Sequence, residues 1–210
     1  NIANILPVTT DEKVTSMIKV SEFEKDKYLI MVTKKGIIKR TPLESFYNSR
    51  KVGLIALDLD EGDELAWVRL TDGNQNMLVA TKNGKCIRFL ETDVRAVGRT
   101  ARGVRAMKLM PGDEVVGMVV VKEGTPILTI SETGYGRLSD PTEYRIQSRS
   151  GHGLINYNVE KYGNVANINT VEEDQDVIII SDNGVIIRIE GNSIRKCSRT
   201  SKGVRVMKVS

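Results

Sequence analysis

The sequence predicts an all-β protein built from repeats of about 50 residues, on three observations. The first is a set of glycines fifty residues apart, each after a basic stretch: Gly53, Gly103, Gly153 and Gly203. The second is that segment 99–108 recurs as segment 199–208 with seven identities in ten positions. The third is that each repeat contains β-prone runs separated by turn signals. A period near fifty is typical of propellers and related blade architectures, whose repeats cannot bury their hydrophobic faces alone.

Each repeat begins with a predicted β-hairpin. Apolar runs such as 28–33 and 77–81 reach a glycine and return as a second β-prone run. Asn-Gly at 83–84 favours a tight two-residue turn because such a turn requires positive φ angles. The hairpin glycines are Gly36, Gly84, Gly134 and Gly184. Alternate strand residues should pack between blades, including Leu29, Met31, Leu78, Leu128, Ile178 and Ile180.

Two more strands complete each predicted repeat. A polar, basic connection follows the hairpin and leads to a third strand such as 104–109, a Gly-Asp turn and a fourth strand such as 115–120. We therefore expect about four blades in an arc within one repeat domain, 1–210. The predicted repeats are 23–71, 72–122 and 123–172, with partial repeats at 1–22 and 173–210. Segments 2–6 and 14–20 resemble third and fourth strands without a hairpin. Either these strands complete the last blade of a ring closed by strand exchange, or the chain is a piece of a longer array. The second alternative is favoured because the chain opens without Met and enters a repeat at once.

Composition excludes several classes of protein. The chain is 40% hydrophobic and 28% charged, which indicates a folded body rather than a disordered segment. No apolar run approaches the ~20 residues needed to span a bilayer, and the N-terminus lacks a signal-peptide pattern. We therefore expect a cytoplasmic protein with no membrane partner. Cys86 and Cys197 occupy different repeat positions and are interpreted as reduced thiols.

Charge is divided unequally along the chain. Segments 39–51, 95–108, 145–155 and 195–208 hold 17 of the 31 Lys and Arg residues but one carboxylate, Glu44. Their net charge is +16, whereas the rest of the chain carries −12. Equivalent positions of successive blades fall on one rim, so these segments predict a continuous positive band, which is typical of a protein that binds nucleic acid. Aromatic residues are only 5% of the chain, which favours duplex phosphates over stacked single-stranded bases.

The candidate DNA-binding residues are cations of these segments and of the second hairpin strands. They are Lys39, Arg40, Arg50, Lys51, Arg88, Arg95, Arg99, Arg102, Arg105, Arg137, Arg145, Arg149, His152, Arg188, Arg195, Lys196, Arg199, Lys202 and Arg205. The second-strand members are expected to flank the rim: Arg40, Arg88, Arg137 and Arg188. The phased glycines would let the main chain approach a phosphate closely, or form a tight turn that leads into the third strand.

Catalytic sites are not predicted. His152 is the single histidine and lies in a basic motif, so neither a Ser-His-Asp site nor a histidine metal cluster has support. No phosphate-binding loop with a Gly-x4-Gly-Lys pattern occurs, and segment 58–63 lacks the spacing of a calcium loop. We expect no cofactor in this domain.

Several blocks resemble the family of C-terminal domains of the DNA gyrase A protein, across essentially the whole chain. They are segments 39–43, 53–57, 69–73, 92–95 with 98–101, and 143–149. The resemblance implies a β-pinwheel, normally of six propeller-like blades that exchange strands, with duplex DNA wrapped around a basic outer rim. It further implies that such a domain supports ATP-dependent negative supercoiling by a nucleoid-associated holoenzyme of gyrase A and gyrase B.

One family motif is incomplete. The Gln-Arg-Arg-Gly-Gly-Arg/Lys-Gly box has no full match, although segment 147–153, Gln-Ser-Arg-Ser-Gly-His-Gly, keeps four of its positions. We interpret the chain as lacking about two N-terminal blades, including the one with the box, so supercoiling is not expected of it alone. Two alternatives remain: the related C-terminal domain of topoisomerase IV, which steers DNA but wraps it less, and a propeller-type protein-interaction scaffold. Salt-sensitive binding to duplex DNA would exclude the scaffold.

Overall fold

The computed structural model describes residues 15–20, 25–48 and 53–209. Within these residues fourteen strands form four antiparallel sheets, and the α-helix α1 (Val159–Tyr162) is a single turn. In chain order the strands are β1 (Tyr28–Thr33), β2 (Ile37–Pro42), β3 (Leu65–Thr71), β4 (Asn76–Thr81), β5 (Lys85–Leu90), β6 (Val104–Arg105), β7 (Val115–Val121), β8 (Ile127–Ser131), β9 (Tyr135–Ser139), β10 (Leu154–Ile155), β11 (Val165–Thr170), β12 (Asp176–Ile180), β13 (Ile186–Glu190) and β14 (Val204–Arg205). The all-β prediction is confirmed.

Blades are completed by a short strand from the following repeat. Blade 1 has the order β3-β1-β2-β6, blade 2 the order β7-β4-β5-β10, and blade 3 the order β11-β8-β9-β14. In the described part of the chain, blade 4 contains β12 and β13. Strand β6 lies between β5 and β7 in the chain, yet it pairs with β2 of blade 1. The blades therefore exchange strands, as the β-pinwheel resemblance implies.

The hairpins lie at the four predicted glycines, whose φ angles are 85°, 82°, 87° and 83°. The predicted two-residue turn is wrong, because each loop has three residues or more between its strands and Asn83 is not left-handed. The N–H of Gly36 donates to the carbonyl of Thr33, which makes a type I turn closed by a left-handed glycine. The Thr33 hydroxyl also accepts from the N–H of Ile37 at 3.1 Å. A Ser or Thr makes the same pair of bonds in the other hairpins: Thr81, Ser131 and Ser181.

The phased glycines allow close contact between backbones. A Cβ atom at Gly103, Gly153 or Gly203 would overlap the carbonyl of the second strand in the preceding blade. The third strand is a two-residue edge strand rather than the predicted 104–109. The chain turns away from the sheet at Ala106, whose N–H donates to the carbonyl of Gly36 in the hairpin. Glycine at these positions is required by strand exchange.

Apolar layers between blades form the core. Ile30 and Val32 of blade 1 pack against Met77 and Val79 of blade 2, and similar clusters join blade 2 to 3 and blade 3 to 4. Of the predicted core, the buried side chains are Met31, Leu78 and Leu128, and Leu29 is half-buried.

Two predicted core residues are exposed. Ile178 and Ile180 have 61% and 64% of their surface accessible, so their assignment to the core is wrong. Val177 and Ile179, on the opposite face of β12, pack against blade 3 instead. The alternation of a strand defines two faces but does not tell which one meets a neighbour.

Both cysteines are free thiols in different environments. Cys86 is buried, and burial raises its pKa to about 12, whereas Cys197 is half-buried in a loop. At the N-terminal side, segment 2–6 and Val14 lie outside the described residues, and residues 15–20 form no strand. None of the described helices is long and apolar enough to cross a membrane.

We predict that the two thiols differ strongly in reactivity. Because burial raises the Cys86 pKa to about 12, very little of this thiol is ionised at pH 8, so a disulfide reagent should label one thiol per native chain and two in denaturant. Cys197→Ser should remove the fast reaction. Equal native rates for both thiols would contradict the burial of Cys86.

Candidate nucleic-acid interface

Three basic loops occupy the same edge of successive blades. Residues 94–103, 144–153 and 194–203 lead into β6, β10 and β14, each of which pairs with the second strand of the preceding blade. Each loop also forms a parallel bridge to that strand, through the pairs Arg40–Ala96, Arg88–Ile146 and Leu138–Lys196. Strand exchange therefore fixes the basic segments in equivalent positions, one per blade.

Arginines at one repeat position join neighbouring loops. Arg149 donates from Nε to the carbonyl of Asp93 at 2.9 Å and from Nη1 to that of Arg105 at 3.1 Å. At the same repeat position, Arg199 donates to the backbone carbonyl of Glu143 and Arg99 donates to that of Ile55, each at 3.1 Å. These three predicted DNA-binding residues are half-buried and hold the loops against one another. The basic segments are thus contiguous.

Lys39 is not available to a phosphate. It is 1% exposed, and its Nζ donates to the carbonyl of Ala56 at 2.9 Å and to that of Arg99. Burial lowers its pKa, and the neighbouring Arg99 acts in the same direction while Asp58 opposes it. Lys39 therefore stabilises the backbone of the first basic loop from the protein interior. The prediction that it contacts DNA is corrected to this structural role.

Arg137 plays the same part at the equivalent position of blade 3. Its side chain is fully buried and donates to the carbonyls of Asn156 and Arg199. Those two bonds come from Nη1, and Nη2 donates to Thr129 Oγ1 at 3.0 Å and to Tyr144 Oη at 3.2 Å. Among the described residues no carboxylate pairs with it. The prediction that Arg137 flanks the rim is wrong, because its hydrogen-bonding groups face inward.

Arg40 and Arg88 are also directed inward. Arg40 is 7% exposed, stacks over Tyr28 with 4.5 Å between Cζ and the ring centre, and contacts Glu91 Oε1 at 3.4 Å. Arg88 is half-buried and donates to the carbonyls of Pro141 (2.9 Å) and Tyr144 (3.2 Å). Arg40 is therefore corrected to a structural role, and Arg88 uses its Nη1 to bind two backbone carbonyls of the next blade.

The remaining described candidates expose basic side chains to solvent. The exposed ones on the loops and their edge strands are Arg95, Arg102, Arg105, Arg145, His152, Arg195, Lys196 and Arg205, and Lys202 is half-buried. None of these described loop cations forms an ion pair. Arg188 is exposed too, but it pairs with Asp176, so its charge is locally balanced. Arg50 and Lys51 lie outside the described residues.

Sequence reasoning left out three residues of this surface. Lys108 and Lys208 are exposed on the same segments, and the hundred-residue repetition that contains both could have identified them. Tyr135 contacts two loop cations, and no local pattern in the sequence signals this. In the described chain no group of His, Cys, Asp and Glu side chains could hold a metal ion.

Comparisons with known proteins agree with this architecture. The family model described as DNA gyrase C-terminal domain, beta-propeller, matches residues 27–72, 75–122, 125–172 and 175–210. The DNA gyrase A protein of Staphylococcus epidermidis is 39% identical over 99% of this chain and 24% of its own length. That of Lawsonia intracellularis is 38% identical over 100% of this chain and 26% of its own length. The chain thus spans about a quarter of these relatives.

Two solved structures are similar over the whole chain. The C-terminal domain of a DNA topoisomerase IV matches with a TM-score of 0.92 and 27% identity, over 99% of this chain and 65% of that one. A DNA gyrase A C-terminal domain matches with a TM-score of 0.88 and 25% identity, over 100% of this chain and 71% of that one.

We predict that Arg137 and Arg145 differ in their contribution to stability. Arg137→Ala should lower the free energy of unfolding by about 2–4 kcal/mol, because it leaves several buried acceptors unpaired. Arg137→Lys should recover part of the loss, since Lys39 binds the equivalent carbonyls in blade 1. The exposed Arg145→Ala is the control and should change stability by less than about 0.5 kcal/mol in urea unfolding. Equal stability of the two alanine variants would contradict the inward role of Arg137.

Proposed function

The chain belongs to the DNA gyrase C-terminal domain family, and from this premise we propose that its basic edge binds duplex DNA and wraps it across successive blades. The observation that carries the proposal is the phasing of the loops. Blades 1 to 3 each present one basic loop on the same edge, and hydrogen bonds from Arg149 and Arg199 join each loop to the preceding one. A duplex that follows this edge would meet positive charge at every blade.

The groups on this edge suit phosphate oxygens rather than base edges. Guanidinium and ammonium groups bind phosphate and position a protein on a duplex without reading its sequence. The exposed loop arginines lie outside any ion pair among the described residues, so a phosphate would not have to displace a carboxylate. We therefore propose binding with little sequence preference.

Wrapping requires several blades to act together. Bending a 20–30 base-pair site by 40–90° costs on the order of 1–6 kcal/mol, which contacts from one loop would not offset. Because the loops are braced against one another, their backbones are held at fixed separations. Affinity should therefore increase with duplex length until all of the basic loops are occupied.

The partners follow from the same proposal. The bound partner is double-stranded DNA, and the chain acts within a longer gyrase A protein that works with gyrase B in supercoiling. The proposed part of this cytoplasmic, nucleoid-associated domain is to hold DNA, while catalysis takes place in other domains. No cofactor is assigned to it.

A second candidate is the topoisomerase IV domain, which steers DNA and wraps it less. The structure favouring it is the topoisomerase IV C-terminal domain, with a TM-score of 0.92 against 0.88 for the gyrase domain. A protein-interaction scaffold is the third candidate. Duplex-length dependence separates wrapping from steering, and salt dependence separates DNA binding from the scaffold.

We predict that three equivalent arginines govern the salt dependence of binding. Arg95, Arg145 and Arg195 occupy the same repeat position and are exposed. Each phosphate contact contributes about 0.9 to the slope of log affinity against log salt, so their combined replacement by Ala should flatten the slope by about 2.7. Fluorescence anisotropy with mixed-sequence duplex at several salt concentrations would measure it.

A control variant removes the same number of positive charges at positions outside the basic loops. Lys34, Lys82 and Lys122 are partly exposed and pair with Glu64, Glu132 and Glu172. Their combined replacement by Ala should leave the slope nearly unchanged. If the two triple variants behaved alike, or if a ten-base-pair duplex bound as tightly as a forty-base-pair one, wrapping along the basic edge would be wrong.

A further inference from the structure

Blade 3 differs from the other blades in the aromatic side chains beside its basic loop. Tyr135 at the start of β9 pairs with Arg205 of the exchanged strand β14. The Arg205 Nη2 donates to Tyr135 Oη at 3.0 Å, and its Cζ lies 5.2 Å from the ring centre. Lys202 Nζ lies 3.9 Å from the same ring centre. One tyrosine therefore contacts a cation of the loop, Lys202, and a cation of the strand that follows it, Arg205.

Two further tyrosines fix this arrangement. Tyr157 is 1% exposed and donates from its hydroxyl to the carbonyl of Lys202 at 2.9 Å. Tyr162 lies in α1, and its ring centre is 5.5 Å from Lys202 Nζ. The helical turn is held because Thr133 Oγ1 donates to the carbonyl of Tyr162 at 2.7 Å. The Lys202 side chain is thus placed between two rings on an anchored backbone.

The equivalent positions of blades 1 and 2 lack this arrangement among the described residues. Ile37 occupies the place of Tyr135 in blade 1, where it pairs with Arg105 of β6, and Lys85 occupies it in blade 2. Within the described residues, the Arg105 side chain makes no hydrogen bond, ion pair or ring contact. Arg105 and Arg205 therefore occupy the same repeat position and are both exposed, but only the Arg205 side chain is held, by its contacts with Tyr135.

We propose that Tyr135 is a positioning residue that makes blade 3 the anchor of the basic edge, where Arg205 and Lys202 are held ready for the phosphates of one strand. This inference rests on the proposed function. A side chain that is already ordered loses less conformational entropy when it binds, so its contact contributes more to affinity than the same contact from a mobile side chain.

The geometry leaves donors free for phosphate. A guanidinium has five N–H groups, and one of those of Arg205 is used by Tyr135. Lys202 meets Tyr135 and Tyr162 through the faces of their rings, an attraction that does not consume its three donors. The Arg205 hydrogen bond, together with the nearby positive charge of Lys202, also lowers the pKa of Tyr135.

Matched substitutions in two blades test the inference. Arg205→Ala should weaken binding of the 210-residue chain to a forty-base-pair duplex about three- to tenfold more than Arg105→Ala. Tyr135→Ile copies blade 1 and should remove that difference, while Tyr135→Phe, which keeps the ring, should remove part of it. Ile37→Tyr should increase the effect of Arg105→Ala. Thermal unfolding of each variant establishes that the comparison is made between folded proteins.

The outcomes are distinct. A larger loss with Arg205→Ala that disappears in the Tyr135→Ile background supports the anchor. Equal losses from Arg105→Ala and Arg205→Ala, or tighter binding by Tyr135→Ile, would overturn the anchor. If the unsubstituted chain still bound duplex DNA in a salt-dependent way, the proposed function would stand. No salt-dependent duplex binding by the unsubstituted chain would overturn both.

Discussion

Closure of each blade by a strand from the next repeat is the constraint on which the arrangement depends. An unpaired second strand would leave backbone donors and acceptors exposed at a sheet edge. A two-residue strand covers part of that edge, and glycine allows it because a Cβ at Gly153 or Gly203 would overlap a carbonyl of the partner strand. Since the basic loop leads directly into this strand, closing the sheet also fixes the loop. The row of basic loops is therefore a consequence of how the blades are joined.

Buried cations add a second level of order beneath the loops. Burying a charge is costly unless polar groups surround it, and here loop carbonyls supply those groups. Lys39 and Arg137 bind the carbonyls of Arg99 and Arg199, whereas Ile87 occupies the same position in blade 2. This alternation has a period of two blades. It agrees with the sequence, in which segments one hundred residues apart are the most similar, and it indicates that adjacent loops are supported by different chemistry.

The sequence predicted the repeat length, the hairpin glycines and the basic segments, because local periodicity and turn chemistry determine them. It did not distinguish loop cations from buried ones such as Lys39 and Arg137, since their acceptors lie on loops far along the chain. It also placed Ile178 and Ile180 in the core, because alternation does not show which face of a sheet meets a neighbour. The tyrosine contacts of blade 3 were missed because their partners, like the acceptors of Lys39 and Arg137, lie far apart in the sequence. They join β9, α1 and the last basic loop, which only the folded chain brings together.

The central claim is that equivalent loops follow one another along a single duplex. A DNA-cleaving probe on a cysteine introduced at position 95, 145 or 195, in a Cys197→Ser background with Cys86 buried, would map each loop on the DNA. The account predicts that the cleavage sites move along the duplex in one direction as the probe moves from the first loop to the third. Cleavage at the same base pairs from all three positions, or in an order unrelated to the blades, would contradict it.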